Sequence, residues 1–171
     1  MKNYLNLTAA SEDFREPEET YSAVFENTGT AIIIFGEDTI ITMANSEAER
    51  LSGYSRGDII GKKSWTEFVL KEDMEKMRHY HAARSRDFQS APQHYEFRLV
   101  NKWGSTRDIF LTMAPIPSTN RRVASLVDIT ERKKAEAALR ESEQRYRRLF
   151  EDSKDMIIMS TPDGSFLDAN P

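Results

Sequence analysis

The chain repeats itself once, at a distance longer than any solenoid period. Residues 21–46 align with residues 146–171 at a constant offset of 125, without a gap. Tyr21 falls on Tyr146, Phe25 on Phe150, Glu26 on Glu151, Ile32-Ile33 on Ile157-Ile158, Asp38 on Asp163 and Ala44-Asn45 on Ala169-Asn170. Similar residues fill the gaps: Val24 faces Leu149, Thr28 faces Ser153 and Ile41 faces Phe166. Solenoid units run to about 20–50 residues, so this offset indicates a duplicated domain together with its linker. One complete unit and the opening of a second are expected, as a piece of a longer tandem array. The length of 171 residues, a little more than one domain, divides accordingly.

Composition then removes whole classes of chemistry. With 0 Cys the chain holds no disulfide framework, Cys-based zinc site, iron–sulfur cluster or thiolate nucleophile. A net charge of −4 gives no electrostatic footprint for nucleic acid. The linker region 131–151 carries seven basic and five acidic residues, which is a solvated helix face and not a phosphate-tracking stripe. The longest apolar run, Ala31–Phe35, is far short of the roughly 20 residues of a membrane span. Residues 1–10 lack the apolar core of a signal peptide, so a cytoplasmic protein is expected. A Gly-rich phosphate loop, Gly-x-Ser-x-Gly and His-Glu-x-x-His are all missing from the sequence. No catalytic residue is assigned, and this stretch is not read as an enzyme.

The pattern of elements gives the fold class. Residues 1–19 are polar and acidic and read as a tail or flanking helix. Pro17 suits the first turn of a helix whose apolar face carries Tyr21, Val24 and Phe25. Residues 31–35 and 40–44 read as two strands around Gly36-Glu37-Asp38. Asn45 or Ser46 caps a short helix that ends before Gly53, Asp58–Gly61 makes another helical turn, and residues 72–86 form a longer helix. Residues 93–101 alternate, with Tyr95, Phe97 and Leu99 on one face and Glu96 and Arg98 on the other. Gly104 supplies the positive φ of the turn that follows, and strands over 106–116 and 122–129 complete the unit. Blocks of strand, helix and strand argue for an α+β fold on an antiparallel sheet.

Three stretches carry a family resemblance. They are Ala44-Asn45-Ser46-Glu47-Ala48-Glu49-Arg50-Leu51-Ser52-Gly53-Tyr54-Ser55, Ile59-Ile60-Gly61-Lys62, and Asp128-Ile129-Thr130-Glu131-Arg132-Lys133-Lys134-Ala135-Glu136. In these the sequence resembles a PAS domain of the S-box type found in signalling proteins, over about residues 21–140. The resemblance implies a five-stranded antiparallel sheet, short helices over one face, a pocket between them and a signalling helix afterwards. It departs at Lys71-Glu72-Asp73, where many members have Pro-Glu-Asp. The expected divisions are a PAS domain over 20–130, a linker helix over 131–149 and the start of a second PAS domain over 146–171.

Candidate sites follow from the residues and from that likeness. Ile32, Ile34, Met43, Phe68, Met77, Tyr80, Phe97, Leu99, Leu111 and Met113 are the candidate inward residues, lining a ligand pocket or filling a core. Arg132, Ala135, Leu139, Ser142, Tyr146 and Leu149 follow a 3,4,3,4,3 spacing. From Ala135 onward this is a coiled-coil seam with a polar middle, which makes a homodimer through the linker helix and the flanking N-terminal helix the expected partner. By resemblance, Asp128, Ile129 and Thr130 form the coupling site between sheet and linker. His79 and His81 lie two apart on one helix and face different ways, so no shared metal site is assigned. One of them alone is a candidate haem ligand, a use some PAS domains make of this helix. Haem and flavin are otherwise disfavoured, and cysteinyl–flavin photochemistry requires a Cys the chain lacks. The resemblance implies a sensory domain that binds a small ligand or mediates dimerisation and passes the signal to an output domain, in a parent such as a sensor histidine kinase. The alternatives are a haem or cofactor receptor, or an interaction-only PAS domain of a diguanylate cyclase or transcription regulator.

Overall fold

The computed structural model describes residues 15–152 and 156–169. The expected tail therefore lies outside the described residues as far as position 14, and Asn170-Pro171 does too. The chain divides into two units, one running to Ile129 and one starting at Thr130.

In the first unit, helix α1 (Arg15–Glu26) leads into β1 (Ala31–Phe35) and β2 (Ile41–Ala44). Short helices α2 (Ser46–Ser52) and α3 (Arg56–Ile59) follow, then a 3-10 turn at Trp65–Phe68 and the long helix α4 (Lys71–Arg84). The unit closes with β3 (His94–Val100), β4 (Thr106–Pro115) and β5 (Arg122–Asp128). The five strands form one antiparallel sheet in the order β2-β1-β5-β4-β3. This is the α+β, five-stranded architecture that the sequence predicts.

Local chemistry sets most boundaries. Asn45 N-caps α2 by accepting from Ala48 N at 3.0 Å, and Gly53 ends that helix at φ 77°. A Cβ at Gly53 would stand 2.5 Å from the Trp103 ring, so both space and backbone conformation require glycine there. Gly104 turns the β3–β4 hairpin at φ 76°, while Asn101 Oδ1 accepts from the N–H groups of Trp103 and Ser105. Lys71, at the departure from Pro-Glu-Asp, occupies the first helical position of α4, where no intrahelical N–H bond is lost to proline or gained by its replacement. Asp73, two residues on, fastens α4 to β3. Its carboxylate accepts from Arg98 N at 2.7 Å and from Arg98 Nη2 at 2.8 Å.

Only Phe25 of the three apolar α1 residues is buried. Tyr21 and Val24 are exposed, and Tyr21 stacks on Phe25 with ring centroids 6.1 Å apart. The core lies between the sheet and the helices over one face, with Ile109 and Ala124 at its centre. In the second unit a 22-residue helix, α5 (Thr130–Glu151), precedes a two-stranded hairpin of β6 (Ile158–Ser160) and β7 (Phe166–Ala169).

Candidate sensory site

A cavity of about 50 Å³ lies between the sheet and helices α2–α4. Six candidate pocket residues line it: Phe68, Met77, Phe97, Leu99, Leu111 and Met113. The other four do not. Ile32, Ile34 and Met43 lie on the opposite face of the sheet, because strand side chains alternate and the register is one residue off the expected parity. Ile33 pairs with Ala124 and Ala31 with Leu126, so Ile33 and Phe35 point at the cavity and Ile32 and Ile34 away from it. Met43 is the cross-strand partner of Ile34 and shares its outer face. Tyr80 sits beside the cavity, packed edge-on against Tyr95 at 5.1 Å.

The polar residues at the cavity are Ser52, Trp65, His81, Arg84 and Tyr95, and no Asp or Glu lines it. Sequence reasoning passed over Trp65 and Arg84. The signal was available in α4: Met74, Met77, His81 and Arg84 are spaced 3, 4 and 3 apart and so share one helix face. His79, on another face, is exposed. His81 contacts the Glu37 carbonyl through Nε2 at 3.0 Å, and its Nδ1 lies 3.4 Å from Arg122 Nη1. A carbonyl on one side and a guanidinium on the other assign the neutral Nε2–H tautomer. Burial holds the His81 pKa below the ordinary histidine value, and the neighbouring Arg122 and Arg84 charges add to this. With both nitrogens spoken for, and a cavity far smaller than a porphyrin, His81 is not arranged as a haem ligand. Among the described residues no group of three or more acidic, His or Cys side chains is placed to hold a metal.

A second constellation locks the domain edge. Asn45 is fully buried and makes four hydrogen bonds. Its Oδ1 accepts from Ile32 N and Ala48 N, and its Nδ2 donates to the carbonyls of Phe25 and Thr30, all at 2.9–3.0 Å. Glu26, the last residue of α1, takes a bidentate contact from Arg56 at 2.6 and 2.9 Å and a third bond from Ser46 N at 3.0 Å. Burial works against its ionisation, but these bonds win and its pKa is lowered. The end of α1 is thus tied to β1, α2 and α3 at once.

At the junction, the Ile129 N–H donates to the Asp108 carbonyl at 2.8 Å, Asp128 lies 3.9 Å from Arg107 across the β4–β5 pair, and the helix starts at Thr130. Along α5, Leu139 and Leu149 are exposed, and Tyr146 stacks on Phe150 with ring centroids at 5.6 Å. Ala135 and Ser142 are exposed as well. The Glu141–Arg145 ion pair forms at 3.0 Å, whereas Arg147 pairs with Glu151 at 3.7 Å and Arg132 with Glu136 at 3.6 Å.

A family model described as a PAS domain matches residues 27–131. The chain belongs to the PAS domain family. The folded first unit is therefore a sensory module. The PAS chain is 25% identical over 154 residues to sporulation kinase E of Bacillus subtilis (strain 168), covering 90% of this chain and 20% of that protein. It thus spans about a fifth of the length of the curated relative it matches. Among solved structures it is similar to the PAS domain of an HTR-like protein from Haloarcula marismortui, with TM-score 0.60 and 21% identity over 71% of this chain and 99% of that one. It is also similar to the RpfR quorum-sensing receptor PAS domain of Cronobacter turicensis in complex with C12:0, with TM-score 0.52 and 19% identity over 60% of this chain and 95% of that one. No helix of this PAS protein, among the described residues, is long and apolar enough to cross a membrane.

Proposed function

We propose that this PAS domain senses a small ligand in the α4-covered cavity and passes the change through Asp128, Ile129 and Thr130 into α5. The observation that carries this reading is continuity. Strand β5 supplies Ala124 and Leu126 to the cavity wall, and the same strand ends one residue before Ile129, with α5 starting at Thr130. A shift of β5 against its neighbours therefore changes where the helix begins, which is a two-state coupling of the kind sensors use. The proposed output is a separate domain of a parent such as a sensor histidine kinase, and residues 146–171 are proposed as the opening of a second PAS copy. The cytoplasm is the proposed compartment.

The exposed seam of α5 supports a parallel homodimer as the transmitting state. Leu139 and Leu149 are exposed to 62% and 68% on a helix of 22 residues, and heptad-spaced apolar residues bury against a partner copy. Sedimentation velocity tests this with the whole chain and its Leu139→Asp variant. A dimer that Leu139→Asp dissociates, with the circular dichroism of the sheet unchanged, is the expected result. A monomer at every concentration contradicts the dimeric transmitter.

A further inference from the structure

His81 joins three elements through one imidazole. From α4 it reaches the β1–β2 turn through Nε2, 3.0 Å from the Glu37 carbonyl, and the start of β5 through Nδ1, 3.4 Å from Arg122 Nη1. Arg122 completes the tie with Nη2, which donates to the Ser85 hydroxyl at the end of α4, at 3.3 Å. The Trp65 and Phe35 rings flank the imidazole, with centroids at 5.6 and 6.3 Å. Arg122 is buried, whereas the His81 ring is half-buried and within reach of solvent protons. The charges around it favour the neutral ring. Arg122 on β5 and Arg84 on α4 oppose a further cation, the 3-10 turn presents the uncharged Trp65, and the acidic group acting on it, Glu37 of the β1–β2 turn, is exposed.

Protonation does not treat the two contacts alike. Nε2–H still donates to the Glu37 carbonyl, and the added charge strengthens that bond. Nδ1 changes from acceptor to donor, so it meets the Arg122 guanidinium donor to donor and cation to cation. We propose that His81 is a proton-operated latch: neutral, it pins the start of β5 to α4; protonated, it keeps the turn and releases Arg122. Arg122, Ala124 and Leu126 occupy alternate positions of β5 and so share its inward side, where Ala124 and Leu126 form cavity wall. Release of Arg122 therefore loosens the cavity side of the strand whose other end leads into Ile129 and α5. Linkage fixes the sign. The closed latch binds the proton less tightly, so a roughly tenfold loss of proton affinity on closing raises the open-to-closed ratio by the same factor once His81 is protonated. The latch stands on the His81 contacts, and its link to α5 rests on the sensory reading.

The test is a titration of the whole chain from about pH 7.5 to 5, across the ordinary histidine range, followed in 13C- and 15N-edited NMR spectra. Of the 3 histidines, His79 and His94 are exposed, so His79→Gln and His94→Gln identify the His81 ring signal by elimination. Its midpoint should fall below 6.5, and the Val123, Ala124 and Leu126 amides should shift with that same midpoint. Gln offers the same partners a fixed donor and a fixed acceptor, so His81→Gln should abolish this response of β5. Arg122→Gln removes the opposing charge and should raise the His81 midpoint. A His81 titration at or above 6.5, or one that leaves the β5 amides unmoved, overturns the latch, and both are read in the wild-type chain. A β5 response that persists in His81→Gln overturns it as well. β5 shifts that stop short of the α5 amides keep the latch and overturn the coupling in the sensory reading.

Discussion

The same hairpin occurs twice, once inside a five-stranded sheet and once as a two-stranded pair. In the first copy Ile33 pairs with Ala44, Ile34 with Met43 and Phe35 with Ile41, with a register shift between Ile34 and Phe35. In the second, Ile158 pairs with Ala169, Met159 with Asp168 and Ser160 with Phe166, with the shift between Met159 and Ser160. Every pair is displaced by the repeat offset, and so is the irregularity. The turn matches as well: Thr39 N donates to the Gly36 carbonyl and Gly164 N to the Thr161 carbonyl. Thr39 and Gly164 hold positive φ, at 70° and 89°. The Tyr–Phe stack before the strands is repeated too. Burial is what differs. Ile33 and Ile41 are 8% and 2% exposed, against 57% and 67% for Ile158 and Phe166. Pairing and turn geometry thus belong to the local sequence, whereas stability comes from the three further strands and the helices that cover the first copy.

The sharpest way to break this comparison is to truncate one equivalent position in each copy. Ile33→Ala should cost about 2–5 kcal/mol of unfolding free energy in urea, as buried Ile-to-Ala changes do. Ile158→Ala should stay within about 0.5 kcal/mol, the range of exposed substitutions. Equal effects would mean that the second hairpin is as deeply packed as the first.

Asn45→Ala comes next. The sequence predicts a helix cap worth about 1 kcal/mol. The structure adds three further bonds to buried backbone groups, so a loss of about 2–4 kcal/mol is expected, with the unpaired Ile32 N–H and the Phe25 and Thr30 carbonyls carrying most of it. A loss confined to 1 kcal/mol would reduce Asn45 to its cap.

Much of this was legible in the residues, and the failures have physical causes. Alternation in β3 gave the correct faces of Tyr95, Phe97 and Leu99 because Glu96 and Arg98 mark the other side. The run Ala31-Ile32-Ile33-Ile34-Phe35 has no polar residue to set its parity, so only pairing with β5 decides which isoleucines face in. Arg84 and Trp65 escaped notice because a charged or indole-bearing residue reads as surface or core, and only the tertiary fold shows that their N–H groups end up buried without partners. The turn glycines and the Asn45 cap were readable because each acts through neighbours close in sequence, whereas Asp128-Ile129-Thr130 was singled out by the family resemblance alone, its contacts with Arg107 and Asp108 lying about twenty residues away.

The pH response separates two groups of contacts. His81 has a folded pKa below 6.5, so the unfolded chain takes up its proton first as pH falls. Its contribution is fully present above pH 6.5 and is lost as pH drops toward the folded value. Asp73, held low first by Arg98, and Glu67, held low first by Lys63, act below about pH 4.5 with the same sign. His81→Gln should flatten the dependence of stability between pH 7 and 5 and leave the acid limb intact. An unchanged upper limb would remove His81 from the account.

The smallest effect is expected at the turn of the second copy. Gly164→Thr imposes the positive φ on a β-branched side chain, at about 1–3 kcal/mol, and nothing buried depends on it. Amide exchange should quicken in β6 and β7 while the five-stranded sheet keeps its unfolding midpoint.

The most direct test of the proposed transmitting role of α5 uses the absence of cysteine. Single spin labels placed by Lys134→Cys and, separately, by Gln144→Cys report on α5 without background labelling. Packed helices lie about 8–10 Å apart, so a parallel pair gives short, similar label-to-label distances at both sites in double electron–electron resonance. The account predicts that result, and its loss on Leu139→Asp. A long distance at either site, or no dipolar signal at concentrations where the sheet is folded, would contradict it.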